Sequence, residues 1–389
     1  MTQDKTYKVS NVPPLRFPEF SGEWEKCTLG EIMSYSKDRV PSNTLTDDNY
    51  VSTENMLPQF GGIYRAQNAP SNGSAIAYQK GDTLLSNIRP YLKKVWLANN
   101  NGGCSADVFV LKSVNEKCNS DFLYYLVAND NFISYVMNGA KGVKMPRGDK
   151  EQIKKYQLSI PSKKEQCKIT ELLSKLDQRI ATQIRVIDKL ESLIKGIYNS
   201  ILWREYKQAS LSDIFIERNE RTTSNNQYEV LSSTAKGLFR QADYFDKEVA
   251  SANNVGYKVL RLGDVVLSPQ NLWLGNINYN DIFEIGIVSP SYKVFSIRKQ
   301  FNPYYVSCFL KTHRALYEYA NASEQGASVV RRNLDLDAFM AITFPMPDKD
   351  IQDSVSKKLQ AINKKLSVEK QILDKLKEQK NYLLSQMFI

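Results

Sequence analysis

The stretch KKEQCKITELLSKLDQRIATQIRVIDKLESLIKGIYNSILWR, residues 163–204, decides the fold. It contains no proline and a single glycine, Gly196, and its apolar residues recur at steps of three and four from Ile169 to Ile201. This spacing predicts one amphipathic helix of about 40 residues, which would extend roughly 60 Å. Such a helix is far longer than the average helix of a globular domain, and it must bury its apolar stripe against a partner.

The same pattern returns in residues 348–388, which predicts a second long helix. Because the two apolar stripes are alike, each helix is the natural partner of the other, and we expect an antiparallel coiled coil with pseudo-two-fold symmetry. The alternative is that each helix packs separately on its own domain. The residues expected in the coiled coil are Leu176, Ile180, Ile187, Leu190, Ile194, Ile197, Leu359, Ile362, Leu366, Leu373, Leu376 and Leu383.

The two helices belong to a duplication of nearly the whole chain. The matched segments, 182 to 186 positions apart, are Leu29–Ile32 with Leu211–Ile214, Gly81–Ser86 with Gly263–Ser268, Gly142 and Arg147 with Gly326 and Arg331, and Pro161 and Gln166 with Pro347 and Gln352. This period is far too long for a solenoid, so each copy is expected to hold a complete domain.

The globular part of each copy alternates short β-type runs with turn signals made of Gly, Asn and Pro, which predicts an α/β or α+β domain. We therefore divide the 389 residues into an N-terminal extension, two globular domains and two long helices. The predicted boundaries are 1–20, 21–160, 161–205, 206–346 and 347–389.

The amino-acid composition limits the classes of function that the protein can have. The net charge of +10 favours an anionic partner, with nucleic acid first. The chain has one histidine, His313, and five cysteines without a C-x-x-C pair. It therefore offers few of the side chains that a zinc site or a Ser–His–Asp triad requires. The unpaired cysteine count fits the reducing cytoplasm, and no apolar run is long enough to span a membrane. We expect His313 to be an ordinary surface or packing residue.

No motif for catalysis is found. The chain lacks a phosphate-binding loop, a dinucleotide fingerprint and a nucleophile elbow. Asn302-Pro303-Tyr304-Tyr305 resembles the Asn-Pro-Pro-Tyr loop of adenine methyltransferases, but its counterpart in the first copy, Cys118–Asp121, does not share that pattern. Asparagine before proline instead predicts a helix N-cap. We therefore expect no catalytic residue, no metal site and no cofactor in this chain.

Basic and amide side chains cluster in two loop regions of each copy. Arginine and lysine suit guanine edges and phosphates, and asparagine and glutamine suit adenine, which predicts binding to double-stranded DNA. The scaffold residues repeat while the loop residues differ, as two unlike half-sites would require. Solvated surface loops are the alternative. The candidates are Asn87, Arg89, Lys93, Lys94, Lys141, Lys144 and Arg147 in the first copy, and Gln270, Asn271, Asn276, Gln325, Arg331 and Arg332 in the second.

Several of these segments, taken in order, resemble the specificity (S) subunit of type I restriction–modification systems. The segments are Pro14–Glu25, Leu29–Ile32, Gly81–Ser86, the Gly142 to Arg147 element and Ile160–Gln166. In the second copy, Phe344–Pro347 corresponds to the beginning of the Ile160–Gln166 segment. Ile351-Gln352 stands where the first copy has Glu165-Gln166, so the glutamate is not repeated.

The resemblance implies a noncatalytic, sequence-specific DNA-binding subunit acting in phage defence. Each target-recognition domain would read one half of a bipartite, asymmetric DNA site. The two helices would set the spacer between the halves and dock two methyltransferase (M) subunits, with restriction (R) subunits joining them. S-adenosylmethionine, ATP and Mg²⁺ would belong to those partners. The alternatives are an S-like subunit of a methylation-only or other defence assembly, and a coiled-coil scaffold without sequence readout.

Overall fold

The computed structural model describes residues 11–114, 116–202, 204–244, 253–325 and 331–389. The chain divides into two compact units. The first unit is Met1–Arg185 with Gln371–Ile389, and the second is Val186–Lys370. Each unit therefore combines one globular part with segments of both long helices. Among the described residues, no helix has the length and apolarity needed to cross a membrane.

Ten strands and five helices of the described residues begin in the first unit. The strands are β1 (Glu25–Thr28), β2 (Met33–Tyr35), β3 (Arg39–Pro41), β4 (Tyr50–Val51), β5 (Ser74–Tyr78), β6 (Thr83–Ser86), β7 (Val95–Leu97), β8 (Gly102–Cys104), β9 (Val108–Ser113) and β10 (Gln157–Ile160). The helices are α1 (Leu29–Ile32), α2 (Ser120–Val127), α3 (Asp130–Asn138), α4 (Lys150–Lys154) and the long α5 (Lys163–Leu202).

The central sheet of the first unit has the strand order β2-β9-β6-β7, with all neighbours antiparallel. Successive side chains of a strand point to opposite faces, and both faces of β6 are buried. Leu85 lies in a large core with α2, α3 and the start of α5, whereas Leu84 lies in a smaller core with Trp96 and Val110. A second sheet, β3-β5-β8-β4, lies beyond the smaller core, and β1 pairs with β10.

Within its described ranges, the second unit adds twelve strands and six helices. The strands are β11 (Gln208–Ser210), β12 (Phe215–Glu217), β13 (Leu231–Thr234), β14 (Gly237–Arg240), β15 (Lys258–Arg261), β16 (Asp264–Leu267), β17 (Ile277–Tyr279), β18 (Ile285–Val288), β19 (Lys293–Ile297), β20 (Ser323–Gln325), β21 (Arg332–Leu334) and β22 (Thr343–Pro345). The helices are α6 (Leu211–Ile214), α7 (Gln241–Tyr244), α8 (Pro303–Phe309), α9 (His313–Asn321), α10 (Leu336–Ala341) and α11 (Lys349–Gln386).

The second unit repeats the plan of the first. Its central sheet, β12-β19-β16-β17, has the topology of β2-β9-β6-β7, and the pair β11-β22 corresponds to β1-β10. Strand β16 likewise separates two cores, with Leu267 in the larger and Val266 in the smaller. Gly81 and Gly263, which precede β6 and β16, both have a positive φ that favours glycine. The predicted duplication of α/β-type domains is confirmed.

The two long helices pack together and run antiparallel within each unit. In the first unit, Lys380 of α11 forms an ion pair of 2.6 Å with Asp177 of α5. In the second, Lys370 pairs with Glu191 at 2.8 Å, so residue numbers fall along α11 as they rise along α5. All twelve predicted coiled-coil residues are buried or half-buried. Each helix also packs on the globular part of its unit, as Ile169 shows in the first core.

A buried glutamine joins the start of each long helix to its globular domain. In the first unit, Gln166 accepts a hydrogen bond from Asn119 N (2.9 Å) and donates to Pro161 O (2.9 Å) and Lys117 O (3.0 Å). In the second, Gln352 accepts from Asn302 N (2.8 Å) and donates to Pro347 O (2.7 Å). We call these contacts the glutamine clamps.

We expect Gln166→Met to lower the free energy of unfolding of the first unit by about 2–4 kcal/mol. The replacement is similar in size, but it leaves a buried N–H and two carbonyls without partners. Chemical denaturation followed by circular dichroism measures the change, and Gln178→Met, at an exposed position of the same helix, is the matched control. Equal stability of the two variants would contradict the role of the clamp.

Candidate nucleic-acid interface

The structure brings together the two predicted loop regions of the first copy, residues 87–94 and 141–147. Arg89 N donates to Pro146 O at 2.8 Å, and Gly148 N donates to Asn87 O at 3.2 Å. Lys141 and Arg147 exchange two backbone hydrogen bonds of 2.9 Å, which closes the second loop on itself. We call this surface the first-copy loops. All seven candidate residues of the first copy therefore lie in one structural unit at the end of β6.

The turn that carries Arg89 and Lys93 is strained. Both residues have left-handed backbone conformations, with φ of 51° and 55°, on either side of a 3-10 turn at Pro90–Leu92. A left-handed conformation costs a residue with a side chain roughly 1–2 kcal/mol. The turn is held from the other side by a neighbouring loop, because Phe60 N donates to Lys93 O at 2.8 Å. The strain therefore persists because contacts on both sides determine the turn.

Carboxylates already neutralise three of the first-copy cations. Lys93 pairs with Asp130 at 2.8 Å, Lys141 with Asp149 at 2.5 Å and Arg147 with Asp107 at 3.3 Å. Lys94 is half-buried and donates to Thr53 O at 2.5 Å, and burial lowers its pKa. Arg89 and Lys144 are exposed, and among the described residues neither side chain has a hydrogen-bond or ion-pair partner. These two are the cations most accessible to a phosphate or a base.

Asp149 ties the second loop to the helix that follows it. Its carboxylate accepts from Lys141 and from the backbone N–H groups of Glu151 and Gln152, so it is the N-cap of α4. These hydrogen bonds, with Lys141 the largest cause, lower the pKa of Asp149 to about 2. The contribution of this group to stability is thus present above its ordinary pKa and is lost as the pH falls towards 2.

The second-copy loops, residues 268–276 and the described part of 325–332 (Gln325, Arg331 and Arg332), also meet. Arg332 N donates to Gln270 O at 3.1 Å, and its guanidinium lies 4.5 Å from the centre of the Trp273 ring. Gln325, Gln270 and Arg331 are exposed beside it. Gly326, which the repeat matches to Gly142, lies outside the described residues. The second surface therefore resembles the first in the contact that joins its loops, but it presents different side chains.

Two of the predicted asparagine residues of the second copy are less exposed to solvent than expected. Asn276 is only 7% exposed, and its side-chain oxygen accepts from Ser233 Oγ at 2.7 Å. It supports the loop from inside, so we leave it out of the candidate contact surface. Asn271, like Asn87 in the first copy, is half-buried. In the second copy the exposed polar groups are thus Gln270, Gln325 and Arg331, with Arg332 lying against Trp273.

Exposed apolar side chains in the same loops were not among the predicted residues. Val143 is fully exposed at the tip of the 141–147 loop, and Met145 and Tyr91 are 44% and 47% exposed. Leu274 is 43% exposed in the second copy. Apolar groups in DNA-reading loops can contact the thymine methyl group or wedge between base steps. The interleaving of these residues with lysine and arginine was the signal that could have identified them.

The structure assigns a structural role to the methyltransferase-like tetrapeptide. Asn302 Oδ1 accepts from Tyr305 N at 2.9 Å and Nδ2 donates to Asp353 at 2.7 Å. Asn302 is therefore the N-cap of α8, as predicted. All five cysteines are free, and no cluster of metal-binding side chains occurs among the described residues.

We expect Arg89→Gly to be about 1 kcal/mol more stable than Arg89→Ala. Both variants lack the guanidinium, but only glycine adopts the left-handed backbone at φ 51° without a steric penalty. Thermal unfolding of the two proteins measures the difference. An Arg89→Ala variant that equals or exceeds Arg89→Gly in stability would show that the turn is not strained.

Comparison with known proteins agrees with this geometry. Residues 21–192 match the model of the type I restriction modification DNA specificity domain. The specificity subunit of the type I restriction enzyme EcoDI from Escherichia coli is 24% identical over 130 residues, which are 33% of this chain and 29% of the relative. The MjaVIII specificity subunit from Methanocaldococcus jannaschii is 23% identical over 208 residues, or 51% and 47% of the two chains. The chain thus spans less than half the length of these curated relatives.

Solved structures share the fold over almost the whole chain. The type I restriction–modification S subunit from M. genitalium superposes with a TM-score of 0.60 and 15% identity, covering 97% of this chain and 99% of that one. A chain from a study of complex assembly and conformational transition of the type I R-M system gives 0.52 and 16%, covering 94% and 97%. Residues 21–192 therefore match the type I restriction modification DNA specificity domain, and the resemblance of the chain to the specificity subunits of these systems is confirmed.

Proposed function

We propose that this protein is the DNA-reading subunit of a type I restriction–modification complex. One observation carries the proposal: each copy joins two loops at the end of its central strand by a backbone hydrogen bond, and the two surfaces present different side chains. Arg89 and Lys144 are exposed on the first surface, and Gln270 and Arg331 on the second. A duplicated scaffold with unlike contact surfaces suits a bipartite, asymmetric site in double-stranded DNA.

The long helices would act as the spacer of this site and as the docking surface for two M subunits, with R subunits joining the complex. In this proposal the chain contributes recognition without catalysis. S-adenosylmethionine, ATP and Mg²⁺ would be bound by the partner subunits, and the assembly would act in the cytoplasm. The DNA specificity domain match over residues 21–192 and the S-subunit fold support this proposal.

Replacing the exposed polar residues of one copy should change only one half of the recognised sequence. A well-placed contact between a side chain and a base edge discriminates by about 1–3 kcal/mol, or roughly fivefold to 150-fold. We expect the double variant Gln270→Ala, Arg331→Ala to lose discrimination at one half-site and to keep it at the other. Selection of bound duplexes from a randomised library, with the M subunit present, measures both halves separately.

Arg298→Ala, which removes an exposed arginine of the second unit outside these loops, is the control and should leave both halves unchanged. The reciprocal variant Arg89→Ala, Lys144→Ala should affect the opposite half. Equal loss of discrimination at both halves in either variant would contradict the assignment of one half-site to each copy.

Lengthening both helices together should lengthen the spacer and leave the half-sites unchanged. Seven residues inserted after Ser192 and seven after Ser367 add about 10 Å to each helix. Both positions are exposed and lie far from the glutamine clamps, which an insertion between Lys163 and Ile169 would disrupt. We expect the preferred spacer to grow by about one to three base pairs, each 3.4 Å long. An unchanged spacer, or altered half-site bases, would show that the helices do not set the distance.

A further inference from the structure

The second unit contains a cavity of about 770 Å³ that the DNA-reading loops do not use. Its walls come from the C-terminal half of α5, strand β17, helix α8 and the start of α9. Cavities of 300–1,000 Å³ with a mainly apolar lining and a few converging polar groups are typical binding sites for small molecules. Every lining residue lies between Lys195 and Arg314, so the cavity belongs to the second unit alone.

The cavity occurs at a position where the two copies differ in size. Asn119 and Asn302 are equivalent, since each donates its backbone N–H to a glutamine clamp and each precedes a helix. Counting from them, Tyr125 of α2 corresponds to Cys308 of α8. In the first unit the Tyr125 hydroxyl donates to Asp177 of α5 at 2.8 Å. Cysteine is much smaller than tyrosine, and Cys308 lines the cavity while its side chain is hydrogen-bonded to Tyr198 of α5.

The lining combines aromatic rings with positive charge. Tyr198, Tyr279 and Tyr304 provide aromatic surface. Lys195 and Arg314 are exposed at the wall and, among the described residues, neither forms an ion pair. Asp281 is the single acidic residue of the lining. The electrostatic balance therefore favours an anion, and the tyrosines favour a planar or apolar body attached to it.

The start of helix α9 adds a second anion-binding feature at the same wall. Thr312 caps this nine-residue helix and its hydroxyl accepts from Ala315 N at 3.2 Å. The backbone N–H groups of His313 and Arg314 have no acceptor among the described residues, and the helix dipole is positive at this end. Lys311 donates to Asn278 Oδ1 (2.6 Å) and Ala235 O (3.2 Å), which leaves one of its three N–H groups for a ligand.

We propose that this cavity binds a nucleoside 5′-phosphate, with the phosphate at Arg314 and the first turn of α9 and the base against the tyrosines. His313, the single histidine of the chain, lines the cavity at its phosphate end. In the first copy, Tyr125 occupies the position that matches Cys308. The proposal is independent of the DNA-reading function, because neither pair of recognition loops lines the cavity.

Isothermal titration of the full chain with adenosine 5′-phosphate, cytidine 5′-phosphate, adenosine and inorganic phosphate tests this proposal. We expect at least one nucleotide to bind with a dissociation constant below ~1 mM, and adenosine and phosphate to bind at least about tenfold more weakly. No nucleotide binding at that concentration would overturn the proposal. Phosphate binding as tight as nucleotide binding would overturn the assignment of the base to the tyrosines.

Two variants locate the binding. Cys308→Tyr introduces the residue of the first copy and should fill the cavity, and Arg314→Ala removes an exposed phosphate contact; each should weaken binding about tenfold or more. Arg298→Ala is the matched control and should bind as the wild type does. Because Arg314 is exposed, its variant keeps the test decisive if Cys308→Tyr does not fold. Unchanged binding in Arg314→Ala would place the ligand elsewhere, whereas DNA selection by the same variant should return the wild-type half-sites.

Discussion

The buried amide of a glutamine at the start of each long helix is the contact on which the rest of each unit depends. Gln166 is completely buried and Gln352 is 2% exposed. Each ties a proline that follows the last strand of the domain, the asparagine that begins an inner helix, and the first turn of the long helix into one hydrogen-bonded group. Because buried polar groups are costly when unpaired, the helix can leave its domain in only one direction.

Beyond this shared joint, the two copies hold the helices by different chemistry. In the first unit, Asp177 of α5 accepts a hydrogen bond from the Tyr125 hydroxyl and forms an ion pair with Lys380 of α11. A charged group therefore links the domain to both helices. In the second, Asn363 donates to the Tyr304 hydroxyl at 2.9 Å, and the contact is neutral. In both interhelical ion pairs the carboxylate belongs to α5, as Asp177 and Glu191, and the lysine belongs to α11. Two copies of α5 could not reproduce them, which favours pairing between unlike helices.

The parts of the fold that the sequence predicted are those encoded by local periodicity or by repetition. The long helices follow from apolar residues at helical spacing, and the twelve interface residues follow from the same stripe. The match of Gln166 to Gln352 was visible, but its role was not, because a hydrogen bond to a backbone N–H 47 residues away leaves no local pattern. The burial of Asn276 could not be predicted for the same reason. Its partner, Ser233, lies 43 residues earlier on a strand whose position the loop sequence cannot reveal.

The candidate contact surface could be predicted from the sequence as two loop regions, but not as a set of exposed side chains. Loops 87–94 and 141–147 are joined through backbone atoms, and any residue offers those atoms, so composition could identify the loops but not their meeting. The strained turn illustrates why the details matter for function. Glycine would relieve Arg89 and Lys93 of their left-handed conformations, yet both positions hold long basic side chains. A turn fixed in advance directs Arg89, the one of these two cations that Asp130 does not pair, without the entropy loss of ordering a flexible loop on binding. Strain retained at a basic, solvent-facing turn is therefore more consistent with a binding surface than with solvated loops.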